Sequence, residues 1–318
     1  MYPIYLDYAA TTPVDPEVIK AMIPYFTTDF GNASSIHSYG RRARQAVDEA
    51  RKIVAEFLGC ESSEVIFTSG GTESDNLAIR GLIASYENTN NTTKVLKYES
   101  KKQNTKPHII TTQIEHHAVL NTVKNLEKSG MIEATYLKPN SDGIVSVRDI
   151  ESAIKPNTVL VSVMYVNNEI GTVQPIREIG KLIEKENKSR VQESKSPKEK
   201  SSGLPDFRTR DSHIYFHTDA VQAAEYFDMN VQTLHVDLLT FTAHKIYGPK
   251  GIGVLYIKKG TPIKPEQTGG EHEYRKRAGT ENVPGIVGIA KAVEIVRKSK
   301  SPKVQILQPV RTSLRMTF

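Results

Sequence analysis

Residues 238–251 read Leu-Leu-Thr-Phe-Thr-Ala-His-Lys-Ile-Tyr-Gly-Pro-Lys-Gly, an apolar run of the buried-strand type that ends in a turn containing Gly and Pro. Short β-branched or aromatic runs of this kind recur along the chain, with helical patterns such as 41–58 and 73–84 between most of them. The predicted strands are Val65–Thr68, His108–Thr111, Ala134–Leu137, Val159–Val166, Ile214–His217, Leu238–Thr242 and Gly253–Ile257. Strands that alternate with helices predict a mostly parallel sheet covered on both faces, which is the α/β class. Ligands of such sheets bind at the carboxyl ends of the strands, so residues directly after each strand are the candidates for chemistry.

The composition of the 318 residues is that of a folded globular protein, with 38% hydrophobic and 25% charged residues. A single cysteine, Cys60, excludes an internal disulfide framework and an all-cysteine metal site. No apolar run approaches the roughly 20 residues needed to span a membrane. The first residues resemble neither a signal peptide nor an amphipathic presequence, so a cytoplasmic location is expected.

The net charge of +6 is concentrated in two segments. Residues 187–212 carry a net charge of +3 and residues 297–318 one of +6, which together exceed the charge of the whole chain. Because the remaining chain has no basic face interleaved with aromatic residues, nucleic-acid binding is not expected. Residues 86–107 and 187–212 are polar and interrupt the strand–helix pattern, so they are interpreted as surface loops or local disorder.

The turn that follows residues 238–242 carries Lys245, with a hydroxyl and an imidazole just before it. A lysine at a strand end forms a Schiff base with a carbonyl when it is desolvated or lies near other positive groups. The alternative is an ordinary surface lysine in a turn, which this stretch alone does not exclude.

A second polar group follows the strand Ile214–His217, in the stretch His-Thr-Asp-Ala-Val-Gln of residues 217–222. Asp219 is an acid that can pair with a ring nitrogen and keep it protonated. Enzymes that use pyridoxal phosphate (PLP) need such an acid, because the cofactor is a better electron sink when its ring nitrogen is protonated. The alternative is an aspartate that caps the start of a helix.

Residues 68–77, Thr-Ser-Gly-Gly-Thr-Glu-Ser-Asp-Asn-Leu, run from a strand through two glycines into a helix with an acidic first turn. Glycines let the backbone approach a ligand closely, and free N–H groups together with the helix dipole favour a phosphate. The spacing matches neither the Walker A nor the dinucleotide-binding pattern. An ordinary capped helix start explains the stretch nearly as well.

Two further polar stretches follow strands. The stretch Glu-His-His-Ala-Val of residues 115–119 offers an imidazole, which can stack on an aromatic cofactor or transfer protons near neutral pH. The stretch Val-Asn-Asn-Glu-Ile-Gly of residues 166–171 offers two amides and an acid for hydrogen bonds to a polar ligand. Either stretch can instead serve as a loop cap.

Signals for a metal or a classical nucleophile are weaker. His213 and His217 lie on one face of a strand, but no third and fourth ligand has supporting spacing, so no metal site is predicted. No Gly-x-Ser-x-Gly elbow occurs. Cys60 follows a helix and is interpreted as an inert, buried or half-buried thiol.

The order of these motifs resembles that of the NifS/IscS-type cysteine desulfurases, PLP enzymes of the class V aminotransferase family. The resemblance runs from about residue 4 to about residue 296. It rests also on Asp-Tyr-Ala-Ala-Thr-Thr-Pro at 7–13, Gly-Asn-Ala-Ser-Ser-Ile-His at 31–37 and Arg-Ala-Gly-Thr at 277–280. It implies a PLP-dependent transferase of fold type I. The implied units are a large PLP-binding domain of residues 16–260 and a small domain that takes residues 1–15 and begins again in residues 261–318.

The resemblance also implies roles for individual residues. Lys245 matches the lysine that binds PLP as a Schiff base, Asp219 the acid at the ring nitrogen, and His116 the imidazole over the ring, with an acid/base role. The other implied contacts are Gln222 near the ring hydroxyl, Asn168 beside cofactor and substrate, and Gly71, Thr72, Thr242, His244 and Thr280 around the phosphate. Thr242 stands where many relatives have serine. Thr280 matches a contact donated by the neighbouring subunit, which implies a homodimer.

One departure from the family concerns the cysteine that takes the sulfur. In the family it lies in a Ser-Gly-Ser-Ala-Cys motif downstream of the segment matched by 277–280, and a substrate-binding arginine lies further on. Neither occurs in these 318 residues, and Cys60 does not match the motif. The basic stretch 298–318 resembles nothing in the family at that point, so we expect a reading frame that ends early.

The resemblance therefore predicts a PLP-dependent cysteine desulfurase that converts L-cysteine to L-alanine. The sulfur would pass to iron–sulfur cluster assembly or thiolation, through a scaffold or sulfur-acceptor protein. Activity of the chain alone stays open, because the family nucleophile is not among its residues. Two alternatives remain, namely a non-catalytic remnant or scaffold that binds PLP, and a selenocysteine lyase with the same motifs.

Overall fold

A computed structural model describes residues 4–92, 106–194 and 213–299 of the chain. Its strands are β1 (Val65–Thr68), β2 (His108–Thr112), β3 (Glu133–Leu137), β4 (Thr158–Ser162), β5 (Tyr215–Asp219), β6 (Leu238–Thr242) and β7 (Gly253–Ile257). They form one sheet in the order β1-β7-β6-β5-β4-β2-β3. Strand β7 pairs antiparallel with β1 and β6, and the other pairings are parallel. The predicted α/β class and mostly parallel sheet are confirmed.

Helices pack against the sheet, and in the described residues none is long and apolar enough to cross a membrane. They are α1 (Pro16–Met22), α2 (Pro24–Thr27), α3 (Ser38–Leu58), α4 (Gly71–Thr92), α5 (His117–Lys128), α6 (Val147–Ala153), α7 (Ile176–Ser194), α8 (Val231–Leu234) and α9 (Val283–Ser299). Helix α3 shows why the sequence folds this way. Its buried residues Ala43, Val47, Ala50 and Val54 recur every three or four positions, which places them on one helix face. Gly59, at a φ of 66°, then ends the helix in the left-handed conformation.

Each face of the sheet has its own apolar core. Successive strand residues point to opposite faces, so Ile110 belongs to one core and Ile109 to the other. The larger core contains apolar residues of α1, α3, α7 and α9, and the smaller one contains residues of α4 and α5. Helix α9 thus packs into the larger core beside α1 and α3. The division into 1–15, 16–260 and 261–318 remains a prediction.

The two polar segments differ in part from their interpretation as loops or disorder. Residues 86–92 continue helix α4, and residues 187–194 continue helix α7. The second extension is anchored to the sheet, because the Asn187 side chain accepts from the Ile214 amide at 2.8 Å and donates to the Ile214 carbonyl at 2.9 Å. Residues 93–105 and 195–212, and the tail beyond residue 299, lie outside the described residues.

Strand β4 is shorter than predicted from its apolar run. The sheet assignment ends at Ser162, although the amide of Val163 still donates to the His217 carbonyl at 3.1 Å and that of Tyr165 to the Asp219 carbonyl at 2.8 Å. These bonds hold the chain after β4 against β5. They direct the following residues, up to Asn168, across the carboxyl end of the sheet.

Candidate active site

A cavity of about 530 Å³ lies where β1, β2, β4, β5 and β6 end. Nine of the ten predicted site residues line it. They are Gly71, Thr72, His116, Asn168, Asp219, Gln222, Thr242, His244 and Lys245. Parallel strands bring their carboxyl ends to the same edge, which explains why residues so far apart in sequence converge there.

Lys245 projects into this cavity from the 3₁₀ turn Ala243–Lys245 that follows β6. Its Nζ donates hydrogen bonds to the carbonyl oxygens of Ala9 and Ala10, the latter at 2.7 Å. Burial lowers the pKa of the Lys245 amine, while the charges of Asp7 and Asp219 oppose that shift. The amine is partly buried and is therefore more easily deprotonated than the amine of an ordinary surface lysine, which was the alternative interpretation.

Asp219 is the last residue of β5 and is 5% exposed. Its Oδ1 accepts a hydrogen bond from the Val221 amide at 2.9 Å, which closes a turn and fixes the carboxyl group. Burial raises the pKa of Asp219, and the Val221 hydrogen bond, His116 and Lys245 lower it. The first helix to follow in the described residues is α8, so Asp219 is not the helix cap that was its alternative.

The start of α4 forms another wall of the cavity. The amide groups of its first turn have no acceptor within the helix and are available to an anion. Gly253 of β7 lies directly under the preceding loop, since a Cβ on it would come within 2.6 Å of the Gly70 carbonyl carbon. Glycine at 253 therefore lets this loop lie close to the sheet.

Two side chains at or just after the end of β6 make contacts of their own beside the cavity. The Thr242 hydroxyl donates to the Ile252 carbonyl oxygen at 2.9 Å, so its hydrogen is already engaged. A hydrogen bond from Thr242 to a phosphate requires that hydrogen to turn away from Ile252. The Nδ1 atom of His244 lies 3.2 Å from the Thr11 hydroxyl, and burial lowers the pKa of this histidine.

The stretches after β2 and β4 act both as caps and as cavity walls. His116 caps α5, because its Nδ1 accepts from the Ala118 amide at 3.2 Å, so Nε2 carries the proton of the neutral ring. Asn167 caps its loop, and its Oδ1 accepts from the amides of Glu169 and Ile170 at 2.8 Å. Its neighbour Asn168 lines the cavity. The functional and the capping interpretations are thus compatible in both stretches.

Thr280 is the predicted site residue that lies elsewhere. It is exposed and lines a smaller cavity of about 110 Å³ together with Ser69 and Arg277. Arg277 is held there by Glu73, whose Oε1 accepts from Nε at 2.8 Å. A contact from Thr280 to the cofactor of a second subunit remains a prediction.

Several residues of the cavity were not predicted. The N-terminal segment contributes Asp7, Ala9 and Ala10, and helix α4 contributes Asp75. Asp75 lies four positions after Gly71, so both face the same side of the helix, and this spacing was a usable signal. The position of the N-terminal segment depends on long-range bonds, such as that from the Thr12 amide to the His244 carbonyl at 2.9 Å, for which the sequence holds no local signal.

Cys60 does not line the cavity. It is partly buried after Gly59 at the end of α3, packed against the larger core. Burial, with smaller contributions from Glu64 and Glu61, raises the pKa of its thiol to about 12. A thiol this weakly acidic is a poor nucleophile near neutral pH, as its position in the sequence indicated.

Known proteins share both the sequence and the fold of this chain. The family model for aminotransferase class-V matches residues 4–191 and 204–308. The cysteine desulfurase IscS of Clostridium botulinum strain Hall is 44% identical over 311 residues, which cover 98% of this chain and 68% of that protein. The cysteine desulfurase IscS of Methanosarcina thermophila is 46% identical over 292 residues, or 92% of this chain and 62% of that protein.

Solved structures give the same result. A NifS-like protein superposes with a TM-score of 0.79 at 36% identity, covering 94% of this chain and 70% of that one. SspA in complex with cysteine superposes with a TM-score of 0.74 at 38% identity, covering 92% of this chain and 72% of that one. The fold and the cavity at its carboxyl edge define an α/β enzyme of fold type I. The chain belongs to the class-V aminotransferase family, and its relatives there are IscS- and NifS-like cysteine desulfurases.

Proposed function

We propose that this protein is a PLP-dependent cysteine desulfurase, which converts L-cysteine to L-alanine and passes on the sulfur. The observation that carries the proposal is the convergence of Lys245, Asp219 and the start of α4 in one cavity. The relatives support it, since they are named cysteine desulfurases and favour neither a selenocysteine lyase nor a non-catalytic remnant. A cytoplasmic location and delivery of sulfur to cluster assembly or thiolation remain predictions.

The cavity residues suit each part of PLP. Asp219 provides a carboxylate for the ring nitrogen, Lys245 an amine for the aldehyde, and the start of α4 amide groups and a helix dipole for the phosphate. A Cβ on Gly71 would lie 2.9 Å from Cγ2 of Val221, so glycine lets the helix start lie close to the cavity wall. When bound, PLP supplies an electron sink for the bonds that break at an amino acid's α-carbon.

The chain's own groups bind, orient and move protons around that centre. Because the pKa of Lys245 is lowered, a larger share of its Nζ is neutral and can attack a carbonyl or accept a proton. The Nε2 proton of His116 makes this ring a second group for proton transfer at the cavity rim. Gln222 donates to the Ala9 carbonyl at 2.9 Å, and that carbonyl also accepts from Lys245, so these two side chains are oriented by one segment.

Sulfur transfer needs a thiolate that attacks the sulfur of L-cysteine while the carbon–sulfur bond breaks. Cys60 does not serve this role, because it lies away from the cavity and its thiol has a raised pKa of about 12. We assign sulfur acceptance to a thiol other than Cys60, whether protein-borne or added. An added dithiol can take the sulfur and release it as sulfide while it is itself oxidised to a disulfide.

The experiment is an assay of alanine and sulfide from L-cysteine with added PLP and dithiothreitol. We expect both products in equal amounts, and an absorbance band of bound PLP that is absent from Lys245→Ala. Lys181→Ala, on the exposed face of α7, is the matched control and keeps the band. Soluble wild-type protein that neither binds PLP nor forms alanine would refute the proposal.

We further propose that the protein is a homodimer in which Thr280 reaches the partner subunit's phosphate site. Its exposure, beside the small cavity with Ser69 and Arg277, supports this role. Light scattering should give twice the mass of the chain. Thr280→Ala should weaken PLP binding while it leaves that mass unchanged, and a monomer that binds PLP at full affinity would contradict the proposal.

A further inference from the structure

A second buried acid lies in the wall of the cavity, and the roles assigned so far do not use it. Asp75, in the second turn of α4, is 1% exposed and lines the same cavity as Asp219. Its Oδ1 atom is buried and has no hydrogen-bond partner in the described part of the chain. Burying a carboxylate without a partner costs several kcal/mol, so such a group calls for a reason.

The neighbours of Asp75 form a neutral hydrogen-bonded network. The Nε2 atom of His217 lies 3.5 Å from Asp75 Oδ1, but burial lowers the pKa of His217 to about 3, so this contact is not an ion pair. Ser162 Oγ lies 2.9 Å from His217 Nδ1, and Thr240 Oγ1 lies 3.3 Å from its Nε2. The Thr240 hydroxyl is also close enough to the Asp75 carboxyl group to lower its pKa.

This network places Asp75 beside Asp219. His217 and Asp219 are two positions apart on β5, so their side chains point to the same face of the sheet. Thr240 is the residue opposite Asp219 on β6. His217 and Thr240 are therefore direct neighbours of Asp219, and the two carboxyl groups lie in the same buried part of the cavity wall.

The two acids have both acidic and basic neighbours. Burial raises the pKa of Asp75 well above its ordinary value, and the neighbouring acids Asp219 and Glu115 raise it further. Burial also raises the pKa of Asp219, opposed by His116 and Lys245. Asp7 also lines the cavity, and its charge raises the pKa of Lys245. The positive groups act on Asp219 and not on Asp75, so we do not expect both carboxyl groups to be ionised at once.

We propose that Asp75 and Asp219 share one proton, and that Asp75 is a positioning residue that keeps a single negative charge on Asp219 for the cofactor's ring nitrogen. The inference rests on the proposed function for the identity of the ring. The shared proton itself follows from the burial and the neighbours of the two acids, and does not depend on the proposed function. A neutral Asp75 removes the repulsion that would otherwise protonate Asp219, and a protonated Asp219 is a weak partner for a pyridinium.

The first test uses the full chain freed of PLP and measures the pH dependence of urea unfolding between pH 5 and 7. A carboxyl group whose pKa is raised by folding keeps a proton that the unfolded chain releases, so its contribution to stability is lost as pH rises. For one such proton the unfolding equilibrium constant rises tenfold per pH unit. We expect Asp75→Asn to release about one proton fewer on unfolding than the wild-type protein does.

The control for this test is Asp142→Asn, which removes an exposed carboxyl group and should leave the pH dependence at its wild-type value. If Asp75→Asn has the same pH dependence as wild type, then Asp75 is not protonated in the folded chain and the proposal is wrong. Because no PLP is present, this outcome is independent of whether the protein is a desulfurase.

The second test measures PLP affinity by the absorbance of the bound cofactor. Asparagine mimics a neutral carboxyl group, so Asp75→Asn should bind PLP within about threefold of wild type, whereas Asp75→Ala should bind at least about tenfold more weakly. Equal affinity of Asp75→Ala and wild type would contradict a positioning role. Failure of the wild-type protein to bind PLP would refute the proposed function, while the first test would still decide the shared proton.

Discussion

Buried charge occurs in two clusters of this molecule, and they are built in opposite ways. In the first, Arg51 and Glu273 have side chains that are 5% and 4% exposed and form a two-pronged ion pair with both distances at 2.7 Å. Arg51 also donates to the Val65 carbonyl, Glu273 accepts from the Phe67 amide, and the guanidinium lies over the Phe67 ring. In this cluster each charge is matched by an opposite charge, and the backbone supplies further partners.

The second cluster consists of Asp75, Glu115 and Asp219 at the carboxyl edge of the sheet. All three carboxyl groups are buried, and one oxygen of Asp75 and one of Glu115 lack a hydrogen-bond partner among the described residues. The contacts of Arg51 and Glu273 show that this fold can supply partners for buried charges. The difference indicates that the first cluster stabilises the fold, whereas the second keeps acids beside the cavity at a cost in stability, as active sites do.

The largest expected effect tests the first cluster. Arg51→Ala leaves the Glu273 carboxylate buried and unpaired, which should lower the free energy of unfolding by about 3–5 kcal/mol. Urea unfolding measures this change. Lys52→Ala, on the exposed face of the same helix, is the matched control and should change stability by less than about 0.5 kcal/mol. A loss as small for Arg51→Ala as for the control would mean that the ion pair is not structural.

Asp219→Asn tests the second cluster and should give the reverse pattern. Loss of the negative charge should reduce turnover of L-cysteine by about 10²–10³-fold, the usual cost of removing one group that stabilises charge in an active site. Removing a buried carboxylate that has acidic neighbours should leave the free energy of unfolding of the PLP-free chain unchanged or slightly increased. The comparison between the clusters fails if this variant unfolds as readily as Arg51→Ala.

Glu115→Gln tests the second cluster through the pH dependence of the free energy of unfolding. Burial raises the pKa of Glu115 to about 8, although Thr112 and the Met164 amide donate to its Oε1 at 2.7 and 3.0 Å. Folding therefore retains a proton that the unfolded chain loses above its ordinary pKa, and this contribution to stability declines as pH rises towards 8. Relative to wild type, Glu115→Gln should gain up to about 1.4 kcal/mol per pH unit between pH 5 and 7.

The measurement for Glu115 is urea unfolding of both proteins at several pH values. Gln keeps the acceptor oxygen for Thr112 and Met164, and any cost of its buried amide is the same at every pH. The difference between the two proteins should therefore level off above pH 8. Parallel curves for wild type and variant would show that Glu115 is ionised in the folded chain.

The sequence predicted the fold and most of the site for identifiable reasons. Buried strands need apolar, β-branched residues, so runs such as Leu238–Thr242 reveal them, and parallel pairing then brings the residues after β1, β2, β4, β5 and β6 to one edge. Lys245 and Asp219 were found in this way, with roles taken from the family resemblance. Asp75 was not, because its spacing from Gly71 indicates only the cavity side of α4, whereas its burial beside Asp219 is encoded by no local pattern. The helical ends of α4 and α7 were missed because a run of polar residues without apolar periodicity resembles a loop.

The smallest effect is expected at Cys60, which belongs to neither charged cluster. With a thiol pKa of about 12, only about one part in 10⁴ is thiolate at pH 8, against about a tenth for a thiol at the ordinary value of 9.0. Alkylation by iodoacetamide should therefore be at least about a hundredfold slower in the folded chain than in urea, where burial is lost. Cys60→Ala should retain dithiothreitol-dependent desulfuration within about twofold of wild type, because the residue does not line the cavity. A loss of more than tenfold, in a variant that unfolds at the wild-type urea concentration, would identify Cys60 as the sulfur acceptor and would require the end of α3 to move to the carboxyl edge of the sheet.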